Sequence, residues 1–277
     1  MTTLRALWGS THPGPSVVVT VLAVALGIAS GVEPWRVALL GVAVLCGQLS
    51  VGIANDVIDR DRDTAVGRTD KPLVRGDVSA RTAWIAAVGA LVLSLLLSAA
   101  IGWGMLAAHA VALAAAWSYN AALKSTALSI APFLVSFGIF PSLATLSAVP
   151  SQLAPPWAWI AGAALGAAVH LTNVLPDLDD DDRTGVRGLP HRLGPRVSVV
   201  IAAAAITAGA VAVLSGAAAA GALGAVSWVL FAGVVALAAA TVVRVLVRRP
   251  DRVVFRLVMA SALVLAALLV ASPGALR

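Results

Sequence analysis

Nine stretches of the chain, at 15–32, 36–58, 81–101, 104–121, 127–148, 157–176, 197–218, 222–246 and 253–272, are apolar and almost free of charge. About 20 apolar residues suffice to cross a hydrocarbon core of about 30 Å. In that medium a segment must pair its own backbone groups, so each stretch is predicted to be a helix. The polar positions fall between these helices, and they fall unevenly. The connections near 33–36, 102–103, 149–156 and 219–221 are short and nearly uncharged, whereas 59–80 and 177–196 are long and carry both signs. Counting spans puts the two long connections on one face. The pattern predicts an all-α membrane protein, one domain over 1–277, with nine transmembrane helices.

Composition agrees: 60% of the 277 residues are hydrophobic and 12% are charged, about half the charged share of a soluble protein. The formal charge of +6 does not point to nucleic acid, because 17 of the 19 Lys and Arg fall on one side if the N-terminus is inside. Only Arg36 and Arg277 fall opposite. That asymmetry is the positive-inside pattern, which places the N-terminus and both long connections in the cytoplasm. The expected setting is a bacterial cell membrane. Arginines between 244 and 256 read as anchors against anionic lipid. The first span lacks a small-residue cleavage site and is followed by others, so a removed signal peptide is not expected. Cys46 stands alone and can build neither a disulfide nor a thiolate metal site.

The two long connections share a pattern. "NDVIDRDRD" begins at Asn55, and "NVLPDLDDDDRTGVRGLPHRLG" begins at Asn173. At a constant offset of 118, Asn55 meets Asn173, Asp59 meets Asp177, Asp61 meets Asp179 and Asp63 meets Asp181. Gly67 then meets Gly185, Pro72 meets Pro190 and Gly76 meets Gly194. These matches in a chain made mostly of Ala, Val and Leu indicate one helix–loop unit used twice.

On a helix, residues i, i+4 and i+8 follow one stripe. Asn55, Asp59 and Asp63 therefore share a face with Asp56 beside them, and Asn173, Asp177 and Asp181 share another with Asp180 beside them. Carboxylates within a bilayer cost about 2.5–3.5 kcal/mol each on insertion scales, and the stripe itself carries no base. A divalent cation resolves the repulsion. Oxygen-only ligands favour Mg²⁺, which completes its shell with water and phosphate oxygens. Two facing stripes would hold two or three such ions against a diphosphate.

These residues resemble the UbiA superfamily of intramembrane prenyltransferases. "NDVIDRDRD" fits its NDxxDxxxD signature and Asp177–Asp181 its DxxxD signature, while "DKPLVRG" (70–76) and "RTGVRGLPHRLG" (183–194) are similar to the segments that follow. The resemblance implies a helical bundle around a central, lipid-accessible cavity, with a small cytoplasmic cap from the loops after helices 2 and 6. It implies Mg²⁺-dependent transfer of an isoprenyl group from a polyprenyl diphosphate to an aromatic or other small polar acceptor, releasing diphosphate. Carried over by position, the Mg²⁺ ligands are Asn55, Asp56, Asp59, Asp63, Asp177 and Asp181; Asp179, Asp180 and Asp182 make the second motif unusually acidic and leave its ligand set open.

Arginine outnumbers lysine 17 to 2, and both lysines, Lys71 and Lys124, fall on the predicted catalytic face. An ammonium suits a phosphate oxygen as a point charge, and Arg68 and Arg187 offer the bidentate alternative. Lys124 joins Asp59, Asp63, Asp177 and Asp181 as a catalytic candidate. His170, Asn173 and Tyr119 are candidates for the cavity wall, and Gln48 bears a similar relation to Asn55; His109 reads as a packed bundle residue. A membrane terpene cyclase on the same fold is the nearest rival. A CDP-alcohol phosphotransferase would need a DGxxAR run, which is absent. A divalent-cation transporter would place acids on both faces, whereas only Glu33 of 13 acids lies opposite. The acceptor and the donor's chain length are not legible.

Overall fold

The computed structural model describes residues 2–175, 185–248, 252–272 and 276. All regular structure among them is helical. A short α1 (Thr3–Gly9) leads into α2 (Pro13–Ala29) and α3 (Pro34–Ile58). Two small helices, α4 (Arg60–Ala65) and α5 (Pro72–Arg75), occupy the first long connection. Then come α6 (Ala80–Ile101), α7 (Trp103–Ala121), α8 (Ala131–Ser147) and α9 (Pro156–Asn173). After the second long connection and its single-turn α10 (Leu189–Leu193) follow α11 (Pro195–Ala219), α12 (Ala225–Val247) and α13 (Arg252–Val270). Proline in the first turn opens α2, α3, α8, α9 and α11. Its fixed φ suits that position and its missing N–H removes a donor that would have no partner there.

Each of the nine apolar stretches contains one long helix, with ends shifted by a few residues. Five of these, α3, α6, α11, α12 and α13, are long and apolar enough on their own to cross a membrane. The pair α1 and α2, bent by 74°, would make a sixth. The remaining three are α7, α8 and α9. Polar residues such as His109, Asn120, His170 and Asn173 lower the apolarity of α7 and α9, and α8 is shorter at 17 residues.

Neighbouring helices pack in a ring: α2 on α3, α3 on α6, α6 on α7, α7 on α8, α8 on α9, α9 on α11 and α13, and α13 back on α2. α8 and α9 approach closely because α9 presents glycine to them. A Cβ at Gly162 would lie 2.1 Å from Phe137 O, and one at Gly166 only 2.4 Å from Phe133 O. Small residues at such crossings replace side-chain packing by backbone contact. At one end of the bundle Arg36 donates to Ile101 O (3.2 Å) and Ser147 O (3.3 Å), the last carbonyls of α6 and α8. Carbonyls at helix ends lack intrahelical partners, and a guanidinium there satisfies them. The acidic residues described below gather at the other end.

Candidate active site

The first acidic stripe is built where α3 gives way to α4. Asp59 caps α3 at φ −87°, ψ −3°, and the helical ladder carries on through Asp59 N–H to Asn55 O (2.9 Å) and Asp63 N–H to Asp59 O (2.8 Å). Asn55, Asp59 and Asp63 thus keep their shared side despite the pause at Asp59. Asp56, Asp59 and Asp63 are 2%, 4% and 3% exposed, so their charges need partners.

They have them, which corrects the expectation of an acidic stripe without a base. Lys71 Nζ donates to Asp56 Oδ1 at 2.9 Å and stands 2.7 Å from Asp63 Oδ2, an ion pair without hydrogen-bond alignment. Lys124 donates to Asp59 Oδ1, and Arg62 donates to Asp59 Oδ2 at 2.8 Å. His12 Nε2 lies 3.3 Å from Asp56 Oδ1. The bases come from α4, from the loop before α5, from the 3₁₀ turn Leu123–Ser125 and from the α1–α2 junction. Only Arg62 is local to the stripe, at i+3 from Asp59; the other bases come from distant segments. Arg68 is held by Asp70 through two 3.0 Å hydrogen bonds, which keep that carboxyl below its ordinary range. Arg187 is exposed at the start of the second loop's described part.

With ammonium groups between them, the carboxylates do not converge: no three His, Cys, Asp or Glu side chains among the described residues are close enough to hold a metal. Asp177, Asp179, Asp180, Asp181 and Asp182 lie outside the described residues.

A cavity of about 320 Å³ lies beside this cluster, with His12 and Asn55 on its wall. α3 contributes Val44, Gln48, Val51, Gly52 and Asn55; α7 contributes His109, Ala112, Leu113, Ala116, Tyr119 and Asn120. Across from them stand Phe133, Ser136, Phe137, Phe140 and Leu143 of α8, with Asn173 at the end of α9. Tyr119 meets Phe133 edge-on at 5.0 Å. His170 stands behind this wall rather than on it, 4.7 Å from the Phe133 ring, with its Nε2 3.0 Å from Ser129 Oγ. Ser129 Oγ also accepts from Leu189 N–H at 2.8 Å, so one hydroxyl joins α9, the Lys124 loop and the second long loop.

The repeat seen in the sequence has a conformational counterpart. Gly67 and Gly185 have φ of +73° and +77°, and Gly76 and Gly194 have φ of +76° and +77°. Between each pair lies a one-turn helix, with Pro72 or Pro190 in its first turn. Left-handed φ is readily available only to glycine, which explains why these positions coincide at the fixed offset. Asn55 and Asn173, the first matched pair, both line the cavity.

Residues 16–264 match the model of the UbiA prenyltransferase family. The chain belongs to this family. It is an integral, multi-pass membrane protein and a UbiA-type prenyltransferase. Among curated proteins it is 30% identical over 191 residues to the digeranylgeranylglyceryl phosphate synthase of Natronomonas pharaonis, covering 68% of this chain and 67% of that one. It is 34% identical over 192 residues to the 33 kDa chain of the bacteriochlorophyll synthase of Cereibacter sphaeroides, covering 65% of this chain and 62% of that one. The fold is also that of the apo UbiA homologue from Aeropyrum pernix K1, at TM-score 0.75 and 21% identity over 92% of this chain and 96% of that one. A UbiA homologue from Archaeoglobus fulgidus, solved with GPP and Mg²⁺, gives TM-score 0.69 at 18% identity over 95% and 99%.

For a UbiA-type chain, three features of the cavity were not read from the sequence. His12 sits in a Pro/Gly stretch, yet its left-handed backbone (φ +52°) turns α1 away from α2 and brings the imidazole to Asp56. Gly52 permits that junction, because a Cβ there would lie 2.5 Å from Thr11 O. The aromatic wall had a signal: Phe133, Phe137 and Phe140 are three of five phenylalanines and share one helical stripe. Trp117, two residues before Tyr119, turns to Ser50 Oγ (3.2 Å) and Trp84.

Proposed function

We propose that this chain transfers an isoprenyl group from its diphosphate to an acceptor inside the membrane and releases diphosphate, using Mg²⁺. One observation carries the reading: a cluster of buried carboxylates and ammonium groups adjoins, through His12 and Asn55, an apolar, aromatic-walled cavity. A charged head and a long apolar tail on one substrate match those two surroundings. Among the described acids only Glu33 is remote from this cluster, as a dead-end site requires.

The donor set suits the metal. Asn55, Asp56, Asp59 and Asp63 offer only oxygen, and Asp63 Oδ2 is buried with no aligned hydrogen bond. These four, with Asp177 and Asp181 as their partners in the repeat, would hold Mg²⁺. When bound, the ion supplies charge neutralisation for the departing diphosphate. Lys71 and Lys124 then exchange carboxylate for phosphate oxygens, with Arg68 and Arg187 beside them in the matching loops. The cavity wall keeps water from the allylic cation. Tyr119, Phe133 and Phe137 present ring faces or edges along its path, and aromatic faces stabilise cations. Nine spans, a cytoplasmic rim and a bacterial cell membrane complete the reading, supported by the charge asymmetry.

The test is purified protein in nanodiscs with geranyl diphosphate and a mixture of aromatic and glycerol phosphate acceptors. Diphosphate release should require Mg²⁺ and fall to background in Asp59→Ala. Release that is unchanged by chelator would overturn the reading.

A further inference from the structure

The acids and lysines account for one end of the cavity. At the other end a polar pair remains that the transfer chemistry does not use. His109 on α7 is 4% exposed and lines the cavity. It faces α3 at Gly47, where a Cβ would stand 3.1 Å from His109 Nε2. The missing side chain makes room for the ring.

The hydrogen bonds fix which ring nitrogen carries the proton. Ser98 Oγ lies 2.8 Å from Ser94 O and 2.8 Å from His109 Nδ1. A carbonyl oxygen only accepts, so the single hydroxyl proton goes to Ser94 O. With that proton on Ser94 O, Nδ1 donates to Ser98 Oγ. Among the described residues no carboxylate lines the cavity to balance an imidazolium, and an unbalanced charge in such a place is expensive. The ring is neutral, and Nε2 carries a bare lone pair. Nε2 has no partner among the described residues. Gln48, the residue after Gly47, also lines the cavity, and its amide likewise has no partner among the described residues. Polar groups left unpaired in a bilayer are costly.

Among the described residues, the lining includes no Lys, Arg, Asp or Glu. A phosphate or carboxylate brought to this end would meet no cation. From Gly47 to Asn55 is eight residues, about 12 Å of helix, which leaves room for a ring-sized body between the imidazole and the acidic rim. Phe137 and Phe140 flank that space.

We propose that His109 Nε2 and Gln48 form the acceptor subsite, taking the hydroxyl of an uncharged phenol whose ring lies against Phe137 and Phe140. His109 accepts the phenolic O–H, and Gln48 supplies a second hydrogen bond. Both are positioning residues that select a neutral, hydroxyl-bearing acceptor over a phosphorylated one. This inference rests on the transferase reading above.

The test uses full-length protein in nanodiscs, labelled with ¹⁵N at its four histidines, with His109 assigned by its loss in His109→Gln. The probes are 1,4-hydroquinone, 1,4-dimethoxybenzene, which has the same outline without an O–H donor, and glycerol 1-phosphate. The His109 Nε2 resonance should sit at the position of an unprotonated ring nitrogen and move with hydroquinone alone. His109→Phe should weaken hydroquinone binding about tenfold, one hydrogen bond's worth, with Mg²⁺–geranyl diphosphate binding changed less than twofold. His109→Gln, whose amide oxygen reaches the Nε2 position, should retain most of the affinity. A protonated Nε2, an equal response to the dimethyl ether or to glycerol 1-phosphate, or no response to hydroquinone in a sample that binds geranyl diphosphate would overturn the subsite. A response to hydroquinone in a sample that does not bind geranyl diphosphate would overturn the transferase reading and leave the subsite standing.

Discussion

Lys71 Nζ stands 2.9 Å from Asp56 Oδ1, fifteen residues earlier in the chain, and their side chains are only 10% and 2% exposed. The same ammonium reaches Asp63 at 2.7 Å. One cation thus joins the end of α3 to α4 and to the loop that follows.

Lys71→Ala leaves two buried carboxylates without their ammonium, and breaking a buried pair costs roughly 3–5 kcal/mol. Thermal unfolding in chelator, followed by tryptophan fluorescence, should show a clear drop in midpoint. Added Mg²⁺ should restore much of it. A midpoint that Mg²⁺ does not move would separate these acids from any metal.

Asp59→Ala and Asp177→Ala should each remove most Mg²⁺-dependent diphosphate release. Groups acting as one unit give strongly non-additive losses, so the double variant should be hardly worse than either alone. Full activity in Asp177→Ala would sever the two halves of the repeat.

Ser129→Ala removes the acceptor of Leu189 N–H and the partner of His170 Nε2. Leaving buried groups unpaired costs about 1–3 kcal/mol. Hydrogen exchange should rise at Leu189 and its neighbours, and exchange unchanged there would mean the second loop is held by other contacts.

Gly166→Ala places a methyl where Phe133 O now lies 2.4 Å away. α8 must shift, and overpacking of this kind costs about 1–3 kcal/mol. Because Phe133 lines the cavity, donor affinity should fall along with thermal stability. Unchanged values for both would refute the close α8–α9 crossing.

Arg75→Cys and Arg187→Cys, made after replacing Cys46, test orientation. Both native side chains are exposed. In intact cells neither position should react with an impermeant thiol reagent, and both should react once the membrane is opened. Labelling of either in intact cells would reverse the topology.

The pattern of apolar stretches located every long helix, because burial in lipid imposes a length and a composition that a sequence displays directly. The repeated Gly–Pro–Gly frame was legible for a different reason: left-handed φ and a proline-started turn restrict the residue type at each position. What the sequence hid were partnerships between distant segments. Nothing local to Asp56 announces His12 or Lys71, and nothing local to Asp59 announces Lys124. His109 read as a packed bundle residue, and its bond to Ser98 does pack α7 on α6. Its second nitrogen emerges only when α3 is laid against it with Gly47 at the contact.

The ammonium groups that neutralise Asp56, Asp59 and Asp63 act as counterions carried in the chain itself. The protein can therefore insert and fold before any metal arrives, since no bare anion has to be held in the bilayer in the meantime. On the proposed function, loading the site would be an exchange of one cation for another rather than the filling of a negative hole. Each lysine displaced from a carboxylate would then be released where a phosphate oxygen needs it, so that metal and donor would each ease the entry of the other. The resting molecule stays electrically quiet until both are present.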